Sequence, residues 1–267
     1  MRSLLVPMIC ILAIICSVSG SVEPPLTAAN VTSLSFDQRI GKTLSPGIAL
    51  TNDDGRQVSL RECFSSGPVI VALGYYECPM LCNLVLNGLV QSLQEIKPES
   101  VPGLSVVFVS IDPKETVDLA AAKKRTYLKR LGRSDAARSW HFLTGSSSSI
   151  RQLAGEIGFH YAYDAANRQY AHPSGIVVLT PSGRISKYFF GVNYPAADLA
   201  EALKQAAAGE SGKPSSPFLM LCSKFMTLTG KYSAAVIGSV RALGVLSIFG
   251  VIMLVVVSGR RPKGDAT

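Results

Sequence analysis

Two apolar runs, Pro68 to Tyr75 (PVIVALGY) and Leu104 to Ile111 (LSVVFVSI), constrain the fold of this chain more than any other feature. Neither alternates polar with apolar residues, so neither can leave a face in water. Both read as strands buried on two sides, as strands under helices are. Each is followed by a helical pattern. Leu81 to Ile96 has apolar residues at 81, 84, 85, 89, 93 and 96, and Thr116 to Leu131 gathers its charge on one face. A shorter helix is predicted over Ile150 to Ile157. Gly175 to Thr180 and Ile185 to Phe190 read as strands meeting at Pro181-Ser182-Gly183, a hairpin turn, before a closing helix at Ala196 to Ala208. Residues 48 to 60 add an earlier hairpin that turns at Asn52-Asp53-Asp54-Gly55. The order β-α-β-α, then hairpin and helix, predicts an α/β, thioredoxin-like fold with a central mixed sheet flanked by helices.

This domain, residues 40–208, lies between two apolar ends. Met1-Arg2 and the short apolar stretch Leu4 to Val18, followed by small residues, read as a signal peptide over 1–20. About fifteen apolar residues rise only ~23 Å as a helix, short of a bilayer core near ~30 Å, although an uncleaved anchor is the alternative. Residues 21–39 form a Pro- and Thr-containing leader. Residues 209–233 begin with a Gly/Ser/Pro linker (GESGKPSSP), and 234–257 are almost wholly apolar, interrupted by Arg241. A helix over that segment would rise ~36 Å, enough to span, and Arg241 can snorkel to the near interface. The basic tail 258–267, with Arg260, Arg261 and Lys263, is then expected to be cytoplasmic. The expectation is a single-pass membrane protein with its domain on the periplasmic, extracytoplasmic side.

The chain carries a formal net charge of +8, which raises a nucleic-acid or anionic-membrane partner. Its basic residues are scattered and not interleaved with aromatics, so no nucleic-acid partner is expected.

The chemistry concentrates after the first strand, in Glu77-Cys78-Pro79-Met80-Leu81-Cys82. Pro79 suits the first position of a helix, which would put Cys78 at the helix start and Cys82 one turn later on the same face. Two thiolates make a soft site for Cu(I) or zinc, or they close a disulfide; three intervening residues leave more room than the Cys-x-x-Cys of redox enzymes. A third ligand is needed, and the chain has three histidines. His141, in a short apolar strand beside the sole Trp, and His160, among Phe159, Tyr161 and Tyr163, read as packing or surface residues. His172 stands in a loop before the late hairpin, which a thioredoxin-type fold lays against the first active-site helix. Its neutral imidazole would complete an S₂N site for Cu(I). Met80 offers a thioether but reads as a packing or partner contact. Cys63 and Cys222 could pair or stay as thiols.

The segment from Tyr75 to Leu89 (YYECPMLCNLVLNGL) resembles the active-site segment of the Sco/SenC family. Further similarities are Val109-Ser110-Ile111-Asp112-Pro113, Trp140 to Gly145 (WHFLTG), Tyr170-Ala171-His172, and Gly183-Arg184-Ile185-Ser186. The resemblance implies copper, as Cu(I) or Cu(II), held by Cys78, Cys82 and His172. It implies a metallochaperone that delivers copper to cytochrome c oxidase subunit II, or another copper client, for its dinuclear site. Asp112 matches a family acidic position from which it would tune the ligands from behind; the alternative is an acid at a helix start with Pro113 at the first position. The same two cysteines would serve a thiol-disulfide oxidoreductase acting on client cysteines, or a copper or redox sensor. A peroxidase on this fold would use Cys78 but leaves Cys82 and His172 unexplained. The C-terminal anchor departs from the best-known members, which are tethered at the N-terminus.

Overall fold

The computed structural model describes residues 34–78, 81–133, 135–165, 167–212, 241–244 and 246–247. The predicted signal, and all of the predicted leader, linker, spanning segment and tail beyond those bounds, lie outside the described residues, as do Pro79, Met80 and Cys222. Among the described residues, no helix is long and apolar enough to cross a membrane.

The two apolar runs form the centre of the sheet. β3 (Val69–Gly74) and β4 (Ser105–Ser110) are buried at every residue and pair in parallel, Val69 opposite Ser105 through Gly74 opposite Ser110. With no polar face to present, they can only lie mid-sheet. β5 (Trp140–Leu143) adds in parallel beyond β4. On the other side, β8 (Gly175–Leu179) runs antiparallel to β3, and β9 (Ile185–Phe190) antiparallel to β8. The resulting order β5-β4-β3-β8-β9 is a five-stranded mixed sheet. Two small hairpins stand apart from it: β1 (Ala49–Thr51) with β2 (Gln57–Ser59), turning at 52–55 as predicted, and β6 (Ala162–Asp164) with β7 (Gln169–Ala171). The second hairpin was not expected from sequence, where 170–174 reads as loop. Its strands are three residues each and mostly unburied, so the polar-apolar period has too little length to appear.

α1 (Leu81–Glu95) buries Val85, Leu86, Leu89, Val90 and Leu93; of the face its spacing predicts, Val85, Leu89, Leu93 and the following Ile96 are buried, whereas Leu84 is exposed and Leu86 and Val90 take its place. Burial of side chains this size contributes about 1.5–3 kcal/mol each. Gly88 lets α1 approach the 192–194 loop, since a Cβ there would sit 1.9 Å from the Val192 carbonyl oxygen. α2 (Val117–Leu131) is capped by Thr116, whose side chain accepts from Leu119 N–H, and ends at Gly132 in the left-handed region at φ 73°. Helix capping at Thr116 agrees with the predicted start of this helix and excludes the alternative in which Asp112 and Pro113 open it. Residues 112–115 instead make a separate turn, with Glu115 N–H donating to the Asp112 carbonyl. α3 (Ser147–Ile157) is capped by Ser146 and begins three residues earlier than its apolar positions alone indicate. α4 (Ala196–Ala207) packs on β8, β9 and α1.

Candidate metal centre

The site lies at the carboxyl ends of β3 and β4, and the strand directions decide what meets there. β3 runs directly into Tyr75-Tyr76-Glu77-Cys78. Because β8 is antiparallel to β3, its beginning lies beside the end of β3. The same register carried past the ladder puts residues 172–174 opposite 74–76. That is how His172 reaches cysteines ninety positions away. The Sγ atoms of Cys78 and Cys82 and a ring nitrogen of His172 all lie within 4.8 Å of one another, and all three residues are buried. Their exposures are 6%, 2% and 3%, so the ligand atoms lie beneath the surface.

The histidine's tautomer follows from its partners. Nδ1 is 2.8 Å from the Pro173 carbonyl oxygen, which can only accept, so Nδ1 carries the proton. In the neutral ring Nε2 is then a bare lone pair, and it faces Cys82 Sγ at 3.2 Å. Each cysteine sulfur also receives one backbone N–H. Cys82 N–H donates to Cys78 Sγ and Tyr75 N–H to Cys82 Sγ, both at 3.4 Å. Burial, followed by the hydrogen bond and charge of Cys78, pushes the Cys82 thiol far above its ordinary range, against the pull of the Tyr75 N–H. Cys82 therefore rests as a neutral thiol, and an incoming soft cation would displace its proton. No disulfide joins the described cysteines. Cys63 lies elsewhere in the core as a thiol pushed up to about 12 by burial and then by the charge of Glu62.

Tyr75 touches all three of these residues. Besides its N–H on Cys82, its carbonyl accepts Cys78 N–H at 3.3 Å. Its phenol stands close to the Cys78 sulfur, and burial, then the charge of Cys78, pushes that phenol well above its ordinary range. Its ring meets the His172 ring edge-on, with centroids 5.9 Å apart. Phe159 closes another side of the imidazole at 5.7 Å. Behind Tyr75 stands Tyr170, at 5.8 Å ring to ring, with its phenol near the Asp112 carboxylate. Burial, then the Asp112 charge, pushes that phenol up to about 12. The Asp112 carboxylate accepts Lys114 N–H at 2.9 Å and so closes its own turn, touching none of the three ligands directly.

Two supports were not found from sequence. Asn83 donates to the Cys78 carbonyl at 3.1 Å and is itself held by Lys123 of α2 at 2.9 Å. Glu115, 8% exposed, accepts Tyr76 N–H and Glu77 N–H, each at 2.7 Å, and the Ser110 hydroxyl at 2.6 Å. Burial pushes its carboxyl up against the pull of those three bonds. The available signal for Glu115 was topological: two adjacent parallel strands bring the loops that follow them together. The remaining histidines stay apart from the site. His141 is half-buried on β5, where burial holds its imidazole down, and His160 is exposed with Nε2 2.9 Å from Asp37.

A mixed α/β domain of thioredoxin-like order, with a buried Cys₂His donor set at the ends of its central strands, defines the class. The sequence profile of the SCO1/SenC family matches residues 37–208, and the chain belongs to that family. Among solved structures, a protein of Aquifex aeolicus VF5 assigned a candidate role in electron transfer is 25% identical, with TM-score 0.55 over 64% of this chain and 95% of its own. BsSco, a member of the Sco family of cytochrome c oxidase assembly proteins in which a disulfide switch was identified, is 22% identical, with TM-score 0.51 over 64% and 96%. Arabidopsis thaliana ScoI with copper bound is 21% identical, with TM-score 0.47 over 64% and 99%. A search of curated proteins found no match.

Proposed function

We propose that this protein is a copper metallochaperone that takes one copper ion as cargo on Cys78, Cys82 and His172 and passes it to a copper client, cytochrome c oxidase subunit II being the client that the family suggests. One observation carries the reading: two thiols and a bare imidazole nitrogen converge within 4.8 Å in a pocket walled by Tyr75 and Phe159. Two sulfurs and one nitrogen in an apolar setting suit Cu(I) before any hard cation. Loading exchanges thiol protons for the ion while the Pro173 carbonyl keeps Nε2 turned toward Cys82.

Apolar residues 234–257 and the basic tail support a tether to the membrane with the domain outside the cytoplasm. Helical residues 241–244 and 246–247 fall inside that segment. A thiol-disulfide role is the second reading. It is favoured by the closeness of the two sulfurs, which need only a local shift to reach the ~2.05 Å of a disulfide.

Copper competition with a chromophoric Cu(I) chelator separates the two. His172→Ala should weaken Cu(I) binding by at least about tenfold and leave the dithiol oxidisable. Unchanged affinity in that variant would remove His172 from the ligand set and leave the thiol reading.

A further inference from the structure

Glu115 stands one residue before the cap of α2, where an acid ordinarily favours the helix start. Its carboxylate goes to a different element. Oε1 accepts Glu77 N–H and Oε2 accepts Tyr76 N–H, both at 2.7 Å, while Oε2 also takes the Ser110 hydroxyl at 2.6 Å. Both oxygens are thus engaged by the two amides that immediately precede Cys78.

A carboxylate that is 8% exposed is costly unless it is well hydrogen-bonded. No salt bridge to Glu115 is found among the described residues, and the nearby charge that acts on it is another carboxylate, Asp112. The group is held by N–H and O–H donors alone. Glutamine would present one acceptor and one NH₂, and the NH₂ would face a backbone N–H. Aspartate would fall short by roughly one bond, about 1.5 Å.

We propose that Glu115 is a positioning residue for the metal site: it fixes the Tyr76–Glu77 turn so that the Cys78 sulfur is already facing Cys82 and His172 before an ion arrives. The consequence for binding rests on the copper reading, whereas the geometry does not. A ligand turn clamped in advance matters because a site about 0.5 Å too loose loses its productive geometry.

The test uses the full-length chain in detergent. Hydrogen exchange, read by mass spectrometry on metal-free protein, should find the 75–78 segment protected in the parent. Glu115→Gln should exchange there at least about tenfold faster while β4 and α1 are unchanged. Its Cu(I) affinity, from chelator competition, should fall about 10–100-fold. Glu115→Asp should fail to restore either property, and Ser110→Ala should move both in the same direction by less. A Glu115→Gln protein that loses thermal stability yet keeps exchange and Cu(I) affinity within about twofold of the parent overturns the proposal and leaves a purely structural carboxylate. Exchange of the parent's 75–78 segment at the rate of an open loop overturns it too, even if Glu115→Gln does not fold. A parent that takes up no copper counts against the copper reading alone, because the exchange measurements still decide the role of Glu115.

Discussion

At residue scale the site depends on small clearances. Gly74 ends β3 directly behind the ligands, and a Cβ there would lie 2.8 Å from Cys82 Sγ and 2.9 Å from the Phe108 ring. Phe108 is fully buried within a stack that includes Tyr76 and Phe142, so the ring has nowhere to go. The sulfur must move instead. Gly74→Ala should therefore cost about 1–3 kcal/mol of stability and weaken metal uptake as well. Urea unfolding midpoints and Cu(I) competition measure the two effects, and a variant unchanged in both would mean the strand end has slack. His172 illustrates how a residue's role depends on its partner. The Pro173 carbonyl selects the tautomer, and that choice exposes the lone pair a ligand needs.

At element scale, the loops and helices are fastened by a few long-range polar contacts. α3 is tied to the segment before β1 through Glu156, which accepts Ser45 N–H at 2.7 Å and the Ser45 hydroxyl at 2.6 Å. Partial burial raises the Glu156 carboxyl, but these bonds and one from Gln152 outweigh it and hold the group below its usual range. A carboxyl depressed in the folded state adds stability above its unfolded pKa, near 4.3, and that stability is lost as pH falls through the lower folded value. Glu156→Gln should then be less stable than the parent by on the order of 1 kcal/mol at neutral pH. The difference should shrink toward zero by about pH 3, read from urea midpoints across pH. A gap of constant size would place the effect in packing rather than charge. The β6-β7 hairpin belongs to this scale too. It packs Tyr163, and the preceding Tyr161, against Tyr170 and so supplies the aromatic backing of Tyr75.

At the scale of the whole molecule, a copper site on an extracytoplasmic domain would be held near the membrane by residues 234–257. If that proposal is right, the full chain should resist extraction by alkaline carbonate, and a chain ended after Pro217 should move to the soluble fraction. A full-length protein released by carbonate would remove the tether. The chain's positive charge has a partly structural use within the domain. Lys123 holds Asn83 at 2.9 Å, Lys124 pairs with Asp53 at 3.0 Å, and Arg133 caps the end of α1 through the Leu93 and Ile96 carbonyls at 2.7 and 2.6 Å.

The central strands, the helices and the candidate ligands are legible in the order of the residues alone. Fully apolar runs admit only a buried strand, helical spacing repeats over enough residues to be unmistakable, and one Cys-x-x-x-Cys pair among six cysteines, with three histidines, leaves few combinations. That order could equally specify the turn at 52–55 and the strand at 185–190, because each is a local property. Tertiary structure alone decided how the ligands are supported. Glu115, Asn83 and Tyr170 act through partners far off in sequence or through backbone amides, and no periodicity records that. The same reason explains why Asp112, at a position that the family resemblance marks, meets Tyr170 and its own turn, while Glu115, three residues on, clamps the loop that carries Cys78. Parallel pairing of β3 and β4 brings their following loops together, and antiparallel pairing of β8 brings His172 back to them. The donor set is written in the chain, but its closure comes from the directions of three strands.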